Sequence, residues 1–197
     1  HYLVNNLAGK YFVVVLHFNH KLRTQNDLME ESFKRFAITL NVPYKAETLV
    51  CKNTEDSCRK ARIESMMAYE DCTFVTAHHL DDCVESYLLN TFRGKEGFLP
   101  IPFNTKLNNN NVINRPFLFN RKKDFIEYAL EHDLLKYVVE DETNVQTRGS
   151  RRNLIRNEVL PVLEREKLGL TTIVKKKMIS RSEEHTSELQ SRVDISY

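Results

Sequence analysis

An α/β fold with a doubly wound, mostly parallel sheet is what this sequence predicts, and three observations predict it. Tyr11 to Phe18 (YFVVVLHF) runs apolar without alternation, as expected for a strand covered on both faces. Tyr44 to Val50 and Cys72 to Ala77 (CTFVTA) read as two further strands. Between and after them lie stretches with helical apolar spacing, and a regular strand–helix alternation implies parallel pairing with right-handed crossovers.

Taken in order, His1 to Leu7 looks like the last turns of a helix, with Gly9 as its C-cap. The strand Tyr11 to Phe18 exits into His17-Phe18-Asn19-His20-Lys21-Leu22-Arg23, more polar chemistry than a turn needs. Asp27 to Asn41 is an amphipathic helix with Met29, Phe33, Phe36, Ala37 and Leu40 on one stripe, and Asp27 with Glu30 offers a start like a capping box. Glu55 to Glu70 is a second helix, displaying Arg59 and Arg62 near its start, and His78 to Phe92 a third, stopped by Arg93-Gly94. Lys95 to Pro116 reads as a long loop with a brief strand at Val112-Ile113. Asn120 can cap a helix from Arg121 to His132, with Phe125, Tyr128, Ala129 and Leu130 inward; Tyr137 to Val139 suggests a last short strand, and Arg151 to Leu163 a helix bent at Pro161.

With 41% hydrophobic and 28% charged residues, the 197-residue chain has the composition of a soluble globular protein. No apolar run approaches a membrane span and no signal peptide opens the sequence, so a cytoplasmic protein is expected. Cys51, Cys58, Cys72 and Cys83 contain no C-x-x-C pair, which weighs against a structural zinc or iron–sulfur site and makes free thiols the expectation. The net charge of +2 hides an asymmetry, because Ser180 to Tyr197 holds two basic and four acidic side chains. Arg148, Arg151, Arg152 and Arg156 form the densest basic group, which could meet a polyanion or could simply be a solvated helix start.

The greatest concentration of chemistry is His78-His79-Leu80-Asp81-Asp82-Cys83-Val84-Glu85, where a strand's carboxyl end becomes a helix. Ligands bind there in open α/β sheets. Helical spacing would place His78, Asp82 and Glu85 on one stripe, with His79 and Cys83 beside it. Carboxylates in a first turn also favour the helix dipole, which accounts for Asp81 without any function. Paired histidines are not accounted for in that way, and from the residues alone a metal site and a nucleotide site are equally open.

The order of motifs resembles the tRNA(Ile)-lysidine synthetases of the PP-loop ATPase, or adenine nucleotide alpha hydrolase-like, superfamily. The matching stretches are HFNHKLR (17–23), Arg59-x-x-Arg62, TAHHLDDCVES (76–86), Arg93-Gly94, NRPFLFNRKKDFIEYA (114–129), VEDETN (139–144) and RRNLIRNEVLPVLE (151–164), together spanning about residues 1 to 165. The resemblance implies a Rossmann-like fold and an enzyme, a carbon–nitrogen ligase. Members adenylate the ring carbonyl oxygen of the wobble cytidine in a CAU-anticodon tRNA(Ile), using ATP and Mg2+ and releasing pyrophosphate. The ε-amine of free L-lysine then displaces AMP. Catalytic roles would fall to His78 and Asp82, with Glu85 in support, and Asp82 would be the acid/base or amine-orienting group. His17, Asn19, His20, Arg23, Arg59 and Arg62 would face ATP. Glu140, Asp141, Arg148, Arg151, Arg152, Asn153 and Arg156 would face lysine, the substrate base or tRNA phosphates, and no resident metal ligand is assigned within the chain. A homodimer is compatible with this reading.

The superfamily's SGGxDS phosphate loop, with its Mg2+-binding Asp, does not occur in the sequence, and the resemblance places it, with the sheet's first strand, ahead of His1. The expected organisation is an N-terminally truncated catalytic domain over 1–140, a helical extension over 141–179 towards the tRNA-binding region, and a non-native tail over 180–197, since RSEEHTSELQS (181–191) resembles a translated sequencing adapter. Such a chain is expected to be inactive alone. Two other classes remain open: a metal-dependent phosphohydrolase using His78, His79 and Asp82, and a non-catalytic RNA-binding fragment. A tRNA thiolase is disfavoured by the missing C-x-x-C.

Overall fold

The structure, a computed structural model, describes residues 1–7, 9–95, 101–107, 110–140 and 150–180. Two compact units interleave along the chain: His1–Phe74, Lys106–Val112 and Tyr128–Asp141 form the first, and Val75–Thr105, Ile113–Glu127 and Glu142–Tyr197 the second.

In the first unit, helix α1 (Tyr2–Leu7) precedes strand β1 (Val15–Asn19), helix α2 (Thr24–Thr39) and strand β2 (Tyr44–Thr48). β1 and β2 pair in parallel, Val15 opposite Tyr44 through Asn19 opposite Thr48, so α2 is the crossover the apolar periodicity implies. Pairing begins where the Val15 amide reaches the Pro43 carbonyl at 2.9 Å. The expected strand therefore starts four residues late, and Tyr11 and Phe12 are exposed. The expected capping box of Asp27 and Glu30 does not form: Arg23 occupies the N-cap with extended backbone, and its side chain does not cap the helix. Both carboxylates turn instead to Asn19 Nδ2, at 2.9 and 2.6 Å, and Lys21 Nζ approaches Asp27 at 2.5 Å. α2 ends at Thr39 with Leu40 as its C-cap, and the chain turns away at Asn41, whose φ of 52° is one that asparagine tolerates.

Helix α3 (Glu55–Met67) follows, its N-cap Thr54 accepting from the Ser57 amide. The strand expected at Tyr137 to Val139 is a 3-10 turn, Leu135–Tyr137. Its Tyr137 carbonyl is taken by the Ser32 hydroxyl at 2.8 Å and its ring packs 5.0 Å from Phe36, so α2 captures the segment before it can join a ladder.

Strands β3 (Thr73–Val75), β4 (Asn104–Lys106) and β5 (Val112–Asn114) form a second sheet in the order β3-β5-β4. The brief strand expected at Val112-Ile113 is present, whereas β4 interrupts what reads as loop. Arg115, 7% exposed, bonds the Pro102 carbonyl and Thr105 Oγ1, both at 2.9 Å, which orders residues 102–105.

In the second unit, helix α4 (Leu80–Phe92) buries Leu80, Val84 and Leu88, which recur at helical spacing, and stops at Gly94 with φ 65°. Leu80, Cys83, Val84, Leu118, Val174 and Met178 form its core. Helix α5 (Lys122–Glu131) starts one residue later than expected from an Asn120 cap, because the Arg121 amide donates to Asp124, and Leu130 is exposed rather than inward. Helix α6 (Arg151–Leu154) runs through a π-helical turn, Ile155–Val159, into α7 (Leu160–Arg165), and a last helix, α8, spans 170–180. The interruption lies before Pro161, which sits in the first turn of α7, where its missing N–H is harmless. The tail 181–197 lies outside the described residues, and no described helix is long and apolar enough to cross a membrane.

Candidate functional site

The second unit holds the His/Asp cluster. His79, with φ −131° and ψ 177°, is the N-cap of α4, and its amide donates to Asp82 Oδ2 at 2.9 Å. The helix therefore starts two residues later than the spacing suggests. His78 lies ahead of it and does not share a helical stripe with Asp82 and Glu85. Its ring Nδ1 bonds Thr76 Oγ1 at 2.8 Å, on the solvent side. The His79 ring is half-buried 6.0 Å from Phe125, with Nδ1 at 3.6 Å from both Asp81 and Asp82 and without a hydrogen bond. Asp81 accepts from Arg121 Nε at 3.1 Å, Arg121 Nη2 at 2.9 Å and the Lys122 amide at 2.7 Å, and Arg121 also reaches Glu164.

Glu85 is 1% exposed. Its two oxygens accept from Arg156 Nε at 2.6 Å and Nη2 at 2.8 Å, a bidentate fork, with Arg152 Nε 3.6 Å away. The carboxylate raises the Arg156 pKa still further above the usual guanidinium value. Arg156 also stands 3.9 Å from Asp82 Oδ1. One Asp82 oxygen thus faces the His79 amide and the other the guanidinium. Arg152 Nη2 approaches Ser86 Oγ at 3.5 Å. The cationic pair is presented from the α6–π-turn segment, whose start is capped by Ser150 Oγ accepting from the Asn153 amide at 3.3 Å. π-turns inside helices recur at functional positions. Arg151 is exposed. Cys83 is buried with its thiol pushed up to about 12 by burial and then by Asp82, which makes it inert as a nucleophile.

The first unit gathers the other set. Asn19 is 1% exposed, and its Oδ1 accepts from the Lys21 amide at 2.8 Å, holding the β1 exit in a turn with Lys21 at φ 49°. The His17 ring lies 5.2 Å from Phe33, and burial lowers its pKa against the opposing pull of Glu30. Burial, then Arg62, then His17 lower that of His20, so Arg62 and His20 lie within electrostatic reach. Arg23, Arg59 and Arg62 are exposed. Glu140 contributes its backbone, its carbonyl accepting from Gln25 Nε2 at 2.5 Å. Asp141 and Arg148 lie outside the described residues. Sequence reasoning missed the Asp81–Arg121–Glu164 chain, for which no spacing signal exists, since its members come from three helical segments.

The chain matches the PP-loop domain model over residues 2–163. It is 32% identical over 188 residues to a tRNA(Ile)-lysidine synthase of Coxiella burnetii, covering 91% of this chain and 40% of that protein. A bifunctional protein TilS/HprT of Listeria monocytogenes is 32% identical over 181 residues, covering 84% of this chain and 27% of that protein, and a tRNA(Ile)-lysidine synthase of Francisella philomiragia is 36% identical over 104 residues, covering 52% and 25%. The chain thus spans well under half the length of these relatives. A PP-loop domain implies ATP binding and the α/β fold that the strand–helix alternation predicts. With the match running from α1 into α7, the chain belongs to the PP-loop domain family.

Proposed function

We propose that this chain supplies the ATP-dependent chemistry of lysidine formation: activation of the wobble cytidine of a CAU-anticodon tRNA(Ile), then attack by free L-lysine. The similarity to two tRNA(Ile)-lysidine synthases and a TilS/HprT protein supports the substrate class. The observation that carries the mechanism is Asp82, whose carboxylate is fixed between the His79 amide and the Arg156 fork at a strand-to-helix junction. A carboxylate so held is pre-oriented to bind a lysine ammonium and take its proton as the amine attacks. His78, exposed beside it, contacts the adenylated base. Glu85 is a positioning residue: with both oxygens on Arg156 and 1% exposure it acts through that guanidinium. Arg151, Arg152 and Asn153 serve the tRNA side, and the lysine and tRNA roles of Glu140, Asp141 and Arg148 rest on the sequence alone.

ATP supplies the adenylyl group and pyrophosphate as leaving group. His17, His20, Arg23, Arg59 and Arg62 offer donors and positive charge that suit a triphosphate, with Asn19 holding the turn that presents them. The same set does not suit Mg2+, which wants carboxylate oxygens: Asp27 and Glu30 are engaged by Asn19 and Lys21. No step is assigned to that ion. The phosphohydrolase reading is less well supported, because His78 turns to Thr76 and, among the described residues, His78, His79 and Asp82 do not converge as ligands.

The test is incorporation of labelled lysine into CAU-anticodon tRNA(Ile) by the polypeptide carrying these residues. Asp82→Asn, which retains an oxygen for the His79 amide, should lower the rate about 10²- to 10⁴-fold with unchanged melting. An undiminished rate removes Asp82 from the mechanism.

A further inference from the structure

Three soft donors that the nucleotide reading does not require as a group meet in the first unit. His20 Nδ1 lies 3.3 Å from Cys51 Sγ, and Cys51 Sγ lies 2.7 Å from Cys58 Sγ. All three donor atoms fall within 4.8 Å of one another. We propose that His20, Cys51 and Cys58 form a binding site for one Zn2+ ion, with two thiolates and one imidazole as ligands and water completing the tetrahedron.

The local fold brings them together for identifiable reasons. His20 follows β1, Cys51 follows β2, and the parallel pairing of these strands delivers both to the same carboxyl edge. Cys58 stands in the first turns of α3, whose start is folded back on the 49–54 segment: Thr54 caps it, the Lys52 amide donates to Ser57 Oγ at 2.9 Å, and Cys58 Sγ itself approaches the Lys52 carbonyl at 3.4 Å. A tetrahedral zinc with bonds of about 2.3 Å to sulfur and about 2.0–2.1 Å to nitrogen separates sulfur from nitrogen by about 3.5 Å and sulfur from sulfur by about 3.8 Å. The His20–Cys51 separation already fits. The sulfurs need to part by about 1 Å to reach that spacing, which a side-chain rotation of the half-buried Cys58 provides.

The donor chemistry points the same way. Thiolate and imidazole select zinc over magnesium or calcium. Burial, then Arg62 and His17, lower the His20 pKa, which favours the neutral ring that a metal binds. Burial and the neighbouring Cys51 push the Cys58 thiol up to about 11, because two thiols in contact resist a second negative charge. A divalent cation removes that penalty, and the Arg62 charge favours the thiolate further. Imidazole has two nitrogens, so Nδ1 on the metal leaves Nε2 for an anion, and His20 can serve zinc and a phosphate together.

Co2+ is the probe. The reduced, metal-free 197-residue chain, titrated with cobalt chloride under a phosphine reductant, should develop visible tetrahedral ligand-field bands and a near-ultraviolet thiolate-to-cobalt band at one ion per chain, both abolished by Zn2+. Cys51→Ser and Cys58→Ser should each remove about half of the thiolate band, His20→Ala should weaken binding at least about 10-fold, and Cys72→Ser should change nothing. Far-ultraviolet circular dichroism of each variant checks that it is folded. An unsubstituted chain that shows no thiolate band overturns the proposal without reference to any variant. So does a band that Cys51→Ser leaves undiminished in a folded protein, or a Cys51–Cys58 disulfide that persists under reductant and excludes the metal.

Discussion

Truncating Arg156 should destabilise the second unit more than neutralising its partner does, and the structure sets the size of the effect. Glu85 has a side chain only 2% exposed against 30% for Arg156, so the two ends of the pair are not equivalent. Arg156→Ala leaves a carboxylate in the interior, and breaking such a pair from one side costs about 3–5 kcal/mol. Arg152, 3.6 Å away, can move in and take part of the charge, which argues for the lower end, about 3 kcal/mol. For a chain of this length that is a fall in Tm of about 6–12 °C. Glu85→Gln keeps an acceptor and strands only a guanidinium that water can reach, so about 1.5–2 kcal/mol is expected, the part due to charge in the hydrogen bond. Replacing both, Arg156→Met with Glu85→Leu, should come back to within about 1 kcal/mol of the parent, since no buried charge is left. Urea unfolding followed by circular dichroism, with the slope checked for constancy, measures all three. If Arg156→Ala costs less than Glu85→Gln, or if the double replacement is the worst of the three, the pair is not the buried device described here and its role in positioning Asp82 goes with it.

Three other expectations follow from particular contacts. Under the proposed tRNA role of Arg151, which is exposed on α6, Arg151→Ala should lower the slope of log affinity for tRNA against log salt by about 0.7–0.9; an unchanged slope assigns it to solvent. His17 has a folded pKa below its ordinary value because of burial, with Glu30 and Lys21 acting on it in opposite senses. The unfolded chain then binds the extra proton, so its contribution to stability is complete above the ordinary value of 6.5 and is lost as pH falls below it; Tm should drop through that range, and His17→Asn should flatten the profile. Thr54→Ala removes the α3 cap and should cost about 1 kcal/mol, read by urea unfolding.

What could be read from the sequence divides along physical lines. β1, β2 and α4 were legible because each encodes its environment locally: an unbroken apolar run, or apolar residues three and four apart. The 3-10 turn at 135–137 was not. Tyr137-Val138-Val139 has strand composition, and only the Ser32 hydroxyl taking the Tyr137 carbonyl decides against a ladder. β4, with the sequence Asn-Thr-Lys, carries no strand signal at all. In the site, the His/Asp cluster announced itself by composition, but the division of labour within it did not. Asp82 rather than Asp81 closes on the helix start, and Asp81 serves Arg121. The arginines of 151–156 resemble a polyanion site when counted locally, because the carboxylate that engages Arg156 lies 71 residues earlier. Cys51 and Cys58 read as separate free thiols for the same reason, their third neighbour, His20, following another strand.

The π-turn at Ile155–Val159 works as a phase shifter. Each residue in an α-helix advances the side-chain direction by about 100°, so an extra residue looped into one turn re-aims everything that follows. Ahead of the turn, Arg152 addresses Glu85 and Ser86; behind it, Leu160 packs on the core and Glu164 reaches Arg121. A one-residue deletion within 155–159 would restore an ordinary helix and rotate Leu160 and Glu164 off their partners by about that angle, while leaving composition, charge and helical propensity almost untouched. Length in this short stretch is therefore under tighter constraint than identity: a substitution on its exposed side, at Glu158, should pass unnoticed, and a single missing residue should not.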